Sequence, residues 1–514
     1  MKNWLKNSIF YEIYPQSFKD TNADGIGDFN GIIQKLDYIK EMGFTAIWMN
    51  PCYASPFTDA GYDVEDFYSV APRYGTNEDI KHLFDEVHKR DMHIILDLVP
   101  GHTAYTCKWF KESIKPEQNE YTHRYIWTDS FETNCNGIPG IKGTLSGISQ
   151  RNGCCAVNFL STQPALNYGF ADVTASWQHS VDSDAAVATR NELMKIIKFW
   201  LALGCDGFRV DMAGEMIKND TDKSETIKFW QKVLSDVQHD YPNAAFVSEW
   251  GEPDKSLLSG FDMDFLLHFG PSHYMDLFRE NPYFSKDGKG NIEEFFDLYL
   301  KNLKLTDGKG YICIPTGNHD MVRIANYLDE TQLKLAYAFI MSMPGVPFVY
   351  YGDEIGMKYI KDITSVEGGF YRTGSRSPMQ WDNTANCGFS TASPEKLYIP
   401  VDSSDDRPTV SSQLNDENSV LNELKRIMRV RKENPALQEN GEFEAVNTIG
   451  YPLIYKRSDG NRTILIAVNP CNKHTEYEID IKFKEVIYQY NGAAEINNGK
   501  LAIPPCSVSF IEIL

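Results

Sequence analysis

Residues 193–213, LMKIIKFWLALGCDGFRVDMA, hold two periodicities in one stretch. Leu193, Ile197, Trp200 and Leu201 recur at helical spacing. GFRVDMA (207–213) then reads as a buried strand, with Arg209 and Asp211 two positions apart and therefore on one face. A helix feeding a strand in this way is the joint of a βα repeat.

The same joint recurs in both directions. SIFYEIYPQSF (8–18) reads as a strand, and residues 30 to 43 place Ile32, Ile33, Leu36 and Ile39 on one helical face before TAIWMNP (45–51). Ile80, Leu83, Phe84 and Val87 precede HIILDLV (93–99); Ile227, Trp230 and Leu234 precede AFVSEW (245–250). FDMDFLLHF (261–269) is a sixth strand, and Ile292, Phe295, Phe296 and Tyr299 lead to YICIPTGNHD (311–320). Leu333 to Met341 is helical, and PFVYYGDEIG (347–356) follows. Eight such repeats predict an α/β fold, the (β/α)8 TIM barrel. More than 80 residues rich in Asn, Gly, Ser and Cys separate the third strand from the next helix, and another irregular stretch spans 357–418. From about 440, alternating apolar and polar residues with turn signals predict a small antiparallel β domain. The expected division is a barrel in two parts, 1–102 and 171–435, an insert domain at 103–170, and a C-terminal domain at 436–514.

A net charge of −21 over 514 residues argues against nucleic acid and against an anionic membrane surface. No apolar run is long enough to span a bilayer. MKNWLKNSIFYEI runs straight into the first strand, so no leader is expected. The ten cysteines lack scaffold spacing and read as reduced thiols of a cytoplasmic protein, a monomer or weak homo-oligomer. Nine Trp, 28 Tyr and 29 Phe supply faces on which sugar rings can stack.

Barrel chemistry sits at the C-terminal ends of the strands. Asp97 and His102 fall there on strand three, Arg209 and Asp211 on four, Glu249 on five, and Asn318, His319 and Asp320 on seven. Each alone has a structural explanation, as a buried acid or a salt-bridge partner. Packing gives no reason for all of them to share one rim, because buried acids are costly unless paired. Two carboxyls flanking a glycosidic bond are the machinery of glycoside hydrolysis. Arg209 is expected to lower the pKa of Asp211 and keep it ionised, while apolar Val247 and Trp250 are expected to raise that of Glu249.

DTNADGIGD (20–28) presents oxygens at Asp20, Asn22, Asp24 and Asp28 in alternation, as a calcium loop does. It is no EF-hand: position twelve is Gly31 and the preceding flank is a strand. The open alternatives are a bracing ion and a solvated turn.

DLVPGH, GFRVDMAGE, FVSEW and PTGNHD, in this order on the expected strands, resemble the four motifs of the α-amylase superfamily, glycoside hydrolase family 13. The resemblance spans essentially the whole chain. It implies the barrel with an insert after strand three and a C-terminal β-sandwich. It implies Asp211 as nucleophile, Glu249 as general acid/base and Asp320 as transition-state stabiliser, acting by double displacement with retention. Arg209, His102 and His319 would hold the sugar, Tyr62 would stack on it, and Asp63 and Asp97 would support the geometry.

Within the family, DTNADGIGD, QPALN (163–167) and RSPMQW (376–381) resemble the α-glucosidase and oligo-1,6-glucosidase branch. That likeness implies one structural calcium on Asp20, Asn22, Asp24, the Ile26 carbonyl and Asp28. It also implies that Asp59 and Arg376 clasp the non-reducing end of a short malto- or isomalto-oligosaccharide. The alternatives are an endo-acting α-amylase, a glucosyl transferase or isomerase, and a non-catalytic glycan-binding protein. The sequence departs from the pattern at Gly101, where Asn is usual and a second calcium would need it, at Ala165 and at Met212. The last two leave α-1,4 against α-1,6 linkage open.

Overall fold

Eight short parallel strands make up the central sheet of the computed structural model, which describes residues 2–497 and 499–514. They are β1 (Phe10–Ile13), β2 (Ala46–Met49), β3 (His93–Leu98), β4 (Gly207–Val210), β5 (Ala245–Ser248), β6 (Met263–Phe265), β7 (Tyr311–Cys313) and β8 (Phe348–Tyr350). Each pairs with its sequence neighbour, and β8 returns to β1 with Phe10 opposite Phe348. The last gap closes through a single parallel bridge, Pro315 to Phe348. Nearly every strand residue is buried, as a sheet covered on both faces requires.

The helices form where the apolar stripes lie. The long ones are α1 (Phe29–Met42), α2 (Asn77–His88), α3 (Asp184–Leu203), α4 (Ser224–Asp240), α5 (Glu293–Thr306), α6 (Glu330–Ser342) and α7 (Val420–Glu433). Side chains of Asp28, Thr76, Ser183, Asp329 and Ser419 cap free backbone N–H groups at the starts of α1, α2, α3, α6 and α7. Repeat five differs: between β5 and β6 there is only a four-residue helix, Pro253–Ser256, and one 3-10 turn. Helix α6 is buried on all sides from Gln332 to Ser342, because the C-terminal sheet covers the face that a barrel helix normally shows to water.

That C-terminal unit has five antiparallel strands, Glu442–Asn447, Leu453–Ser458, Thr463–Asn469, Ser507–Ile513 and Phe483–Tyr490 in spatial order, and a second sheet of three. Ile454, Leu465, Leu501, Ile503 and Ile511 fill the space between them. The stretch between β3 and α3 carries one hairpin, Gly143–Leu145 with Cys155–Val157, over a small core of Ile126, Cys135, Ile141, Ala156, Ala165 and Phe170. Among the described residues no helix is long and apolar enough to cross a membrane.

Candidate active site

Arg209 ends β4 at the centre of the mouth and is 1% exposed. Its Nη1 lies 2.7 Å from Asp97 Oδ1 and 2.9 Å from Asp211 Oδ1, and its Nη2 lies 2.6 Å from Glu249 Oε1. One guanidinium therefore gathers acids from three strand ends. Glu249 Oε2 also accepts the Met212 N–H at 3.0 Å. Met212 can aim that N–H because its backbone is left-handed, φ 45 and ψ 41, a conformation seldom adopted by a non-glycine residue.

The surroundings of both acids differ from the expectation. Burial first, and then the adjacent Glu249, push the Asp211 carboxyl well above the usual range, and Arg209 does not reverse this. Glu249 is not held in an apolar pocket; it takes a guanidinium and a backbone N–H.

Asp320 stands in the loop after β7. Its Oδ1 accepts from Arg376 Nη2 at 2.8 Å and Arg372 Nη1 at 2.9 Å, and its Oδ2 lies 3.3 Å from His319 Nε2. Against burial, His319 and the two guanidiniums hold Asp320 well below the ordinary carboxylate range. Behind it, His319 Nδ1 meets Glu12 Oε1 at 2.9 Å. Against burial, Asp320 and Glu12 push the imidazole up to about 9, so it stands as a cation between two acids.

Asp59, expected to clasp the sugar together with Arg376, is paired in the structure with Arg372. Arg372 Nη2 lies 3.1 Å from Asp59 Oδ1, and Gln163 Nε2 donates to Asp59 Oδ2 at 2.7 Å. Arg376, 2% exposed, is committed beneath Asp320, to the His319 carbonyl and to Tyr14 Oη. Arg372 is absent from the predicted set; four residues from Arg376 in an irregular stretch, it has no signal of its own. Asp63 accepts from Ser55 Oγ, Thr58 N and Asp59 N, and so holds the turn that presents Asp59.

The remaining predicted residues divide between wall and support. Asp59, Tyr62, His102, Asp211, Glu249, Asp320 and Arg372 line a cavity of about 690 Å³, with Met212 and Phe159. Arg209, His319 and Arg376 lie behind that wall and orient the acids. Tyr62 stacks on His319, ring centroids 5.2 Å apart, and bonds Asp97 through its hydroxyl at 3.1 Å.

His102 Nε2 donates to the Tyr62 carbonyl at 3.0 Å and Nδ1 accepts from Asn158 Nδ2 at 3.1 Å. Burial pulls this imidazole down to about 4, so it is neutral, with both nitrogens engaged. Asn158 also explains Gly101. A Cβ at position 101 would fall 2.6 Å from Asn158 Nδ2, so the insert's amide takes the room a side chain there would need. Lys218 Nζ bonds Asn158 Oδ1 at 2.9 Å, which places a side-chain cation on the seam between barrel and insert. Ala165 is fully buried in the insert's own core, and its backbone bridges that of His102.

In the DTNADGIGD loop, Asp20 Oδ2 accepts the Gly25 N–H, Asn22 and Asp24 accept the second N–H ahead, and Asp28 caps α1. Asp20 and Asp28 are 2% and 4% exposed, and among the described residues neither has a cationic side-chain partner. Buried carboxylates without a counter-charge, on a loop of alternating oxygens, fit a hard cation.

Residues 12–440 match the family described as alpha amylase, catalytic domain. The chain is 29% identical to the glucan 1,6-alpha-glucosidase of Streptococcus pneumoniae, with both chains covered in full. It is also 29% identical to the oligo-1,6-glucosidase of Parageobacillus thermoglucosidasius over 97% of each. Among solved structures, a mutant isomaltulose synthase of Erwinia rhapontici NX5 in complex with D-glucose superimposes with a TM-score of 0.84 at 25% identity, covering 100% of this chain and 99% of that one.

Proposed function

The chain belongs to the alpha-amylase catalytic-domain family and is a glycoside hydrolase, and from that premise we propose that it is a retaining α-glucosidase releasing glucose from the non-reducing end of short α-glucans. The observation that carries the reading is the Arg372–Asp59 pair, which lines the cavity beside Asp320 and is held from behind by Gln163 on Asp59. A sugar whose terminal hydroxyls meet that group cannot extend past it, so its first glycosidic bond lies at Asp211 and Glu249.

In this scheme the Asp211 carboxylate attacks the anomeric carbon while Glu249 gives its proton to the departing oxygen. Glu249 then takes a proton from the water that breaks the glycosyl–Asp211 ester. Burial and the adjacent Glu249 favour a proton on the Asp211 carboxyl, and the first step passes a proton to the departing oxygen. Asp320, kept ionised, faces the positive charge that develops on the ring.

The experiment compares an end-blocked maltoheptaoside with free maltose and isomaltose. An exo enzyme releases glucose only from the free ends; cleavage of the blocked substrate at a similar rate would refute the reading. Asp211→Asn should abolish turnover and leave the fold intact, and full activity would remove Asp211 as nucleophile. Glucosyl transfer or isomerisation is the second reading, favoured by the likeness to isomaltulose synthase. It would show as transfer products with little free glucose.

The DTNADGIGD loop is assigned one calcium, on Asp20, Asn22, Asp24, the Ile26 carbonyl and Asp28. Its role would be to neutralise the loop and brace α1. Chelation should lower the melting temperature, with added calcium restoring it, and the metal content of the purified protein should be one per chain.

A further inference from the structure

The cavity wall across from Arg372 carries more cations than its carboxylates can pair. Lys142, from the insert, and Lys223, at the start of α4, both line the cavity. Lys218 lies buried behind them, its Nζ on Asn158 Oδ1 at 2.9 Å and on the Glu215 carbonyl at 2.7 Å. One carboxylate serves all three, Glu215, which is 3.2 Å from Lys223. Among the described residues Lys142 and Lys218 make no ion pair.

The acids elsewhere in the lining each have a cation nearer than these lysines: Asp59 and Asp320 share Arg372, Asp211 and Glu249 share Arg209, and Glu252 pairs with Lys255. On this wall three lysines face one glutamate, a local excess of two, in a protein of net charge −21. Burial, with the nearby Lys223 and Lys142, brings the Lys218 ammonium down to about 8 against the pull of Glu215. Unmatched ammonium groups around a cavity make a field that an anion relieves.

The position of this wall says which part of a substrate would meet it. β4 and β8 lie four strands apart in an eight-stranded barrel, so the loop from Glu215 to Lys223 faces the loop of Arg372 across the mouth. A glucose held at Arg372 and Asp59 would turn its anomeric carbon to Asp211 and Glu249 and its leaving group toward the lysines.

We propose that Lys142 and Lys223, backed by Lys218, form a subsite for an anionic substituent on the departing sugar. This rests on the glucosidase reading for its orientation. A phosphate monoester carries about −1.5 to −2 and matches the excess of two; a uronic carboxylate supplies half of it. Lysine serves either anion as a point charge.

Calorimetric titration with glucose 6-phosphate, glucuronate and glucose reads this subsite without turnover. Glucose 6-phosphate should bind at least about tenfold more tightly than glucose, with glucuronate between them. The advantage should shrink with salt and vanish in K142Q/K223Q. Lys115→Gln, in an exposed pair with Glu112, should leave it unchanged. Glucuronate binding more tightly than the phosphate would assign the subsite to carboxylates. Equal binding of glucose 6-phosphate and glucose, or an advantage that survives the double variant, would overturn the proposal. Hydrolysis of a neutral α-glucoside is measured in parallel: turnover without anion preference removes the subsite alone, and anion preference without turnover removes the glucosidase alone.

Discussion

One guanidinium divided among Asp97, Asp211 and Glu249 cannot neutralise all three, and this explains why Asp211 retains a raised affinity for its proton. Charge is managed differently at Asp320, where two arginines and a protonated imidazole serve one carboxylate. The two arginines have separable tasks. Arg372→Ala should cut kcat/KM for maltose by about ten- to a hundredfold, the range for losing a charged hydrogen bond, with unfolding stability nearly unchanged. Arg376→Ala strands buried partners and should lower unfolding stability by about 1–3 kcal/mol. Steady-state kinetics beside denaturant melts would separate them, and a reversed pattern would exchange their roles.

His319 sets an alkaline limit. Its folded pKa, about 9, lies above that of a free imidazole. The stabilisation is therefore complete below about pH 6.5 and is lost as pH rises through about 9. The pH profile of kcat/KM should fall on that side. His319→Asn should abolish the dependence along with much of the activity, and an unchanged alkaline limb in that variant would exclude His319 as its source.

At the scale of elements, the loop ends are tied to one another more than to solvent. Gly101 and Asn158 occupy one space, the first on the β3 loop and the second on the insert. Gly101→Asn should destabilise the protein, and Asn158→Gly in the same chain should recover part of the loss. A double-mutant cycle of thermal melts measures the coupling, and additive effects would mean that the two do not compete. The loop after β5 is held from β6: Asp264 Oδ1 accepts Ser248 Oγ at 2.6 Å and the Trp250 N–H at 3.2 Å, bracketing Glu249. The missing helix of repeat five leaves this loop without the usual support, which makes Asp264 a positioning residue for the acid/base.

Across the whole molecule, the C-terminal sheet is part of the barrel's core. Phe443 stacks on Phe296 of α5 and on Tyr455, and Arg457 is buried with its guanidinium on carbonyls at the end of α6 and near Gln438 and Gly441. A chain ending at residue 441 exposes those aromatic faces and the whole outer side of α6. It should be recovered as aggregate; a soluble, cooperatively melting product would show the barrel to be self-sufficient.

The eight strands, the long apolar helices and the acids at their ends were legible in the sequence because each depends on a local pattern: periodicity makes the element, and barrel topology then carries every strand end to one rim. Local pattern also marked the alternating oxygens of residues 20–28. Which arginine reaches Asp59, that Asn158 fills the place beside Gly101, and that burial and Glu249 outweigh Arg209 at the Asp211 carboxyl were decided only by the tertiary structure. Those outcomes depend on distances between residues remote in the chain, and Coulomb and steric energies follow distance in space, on which spacing along a sequence is silent.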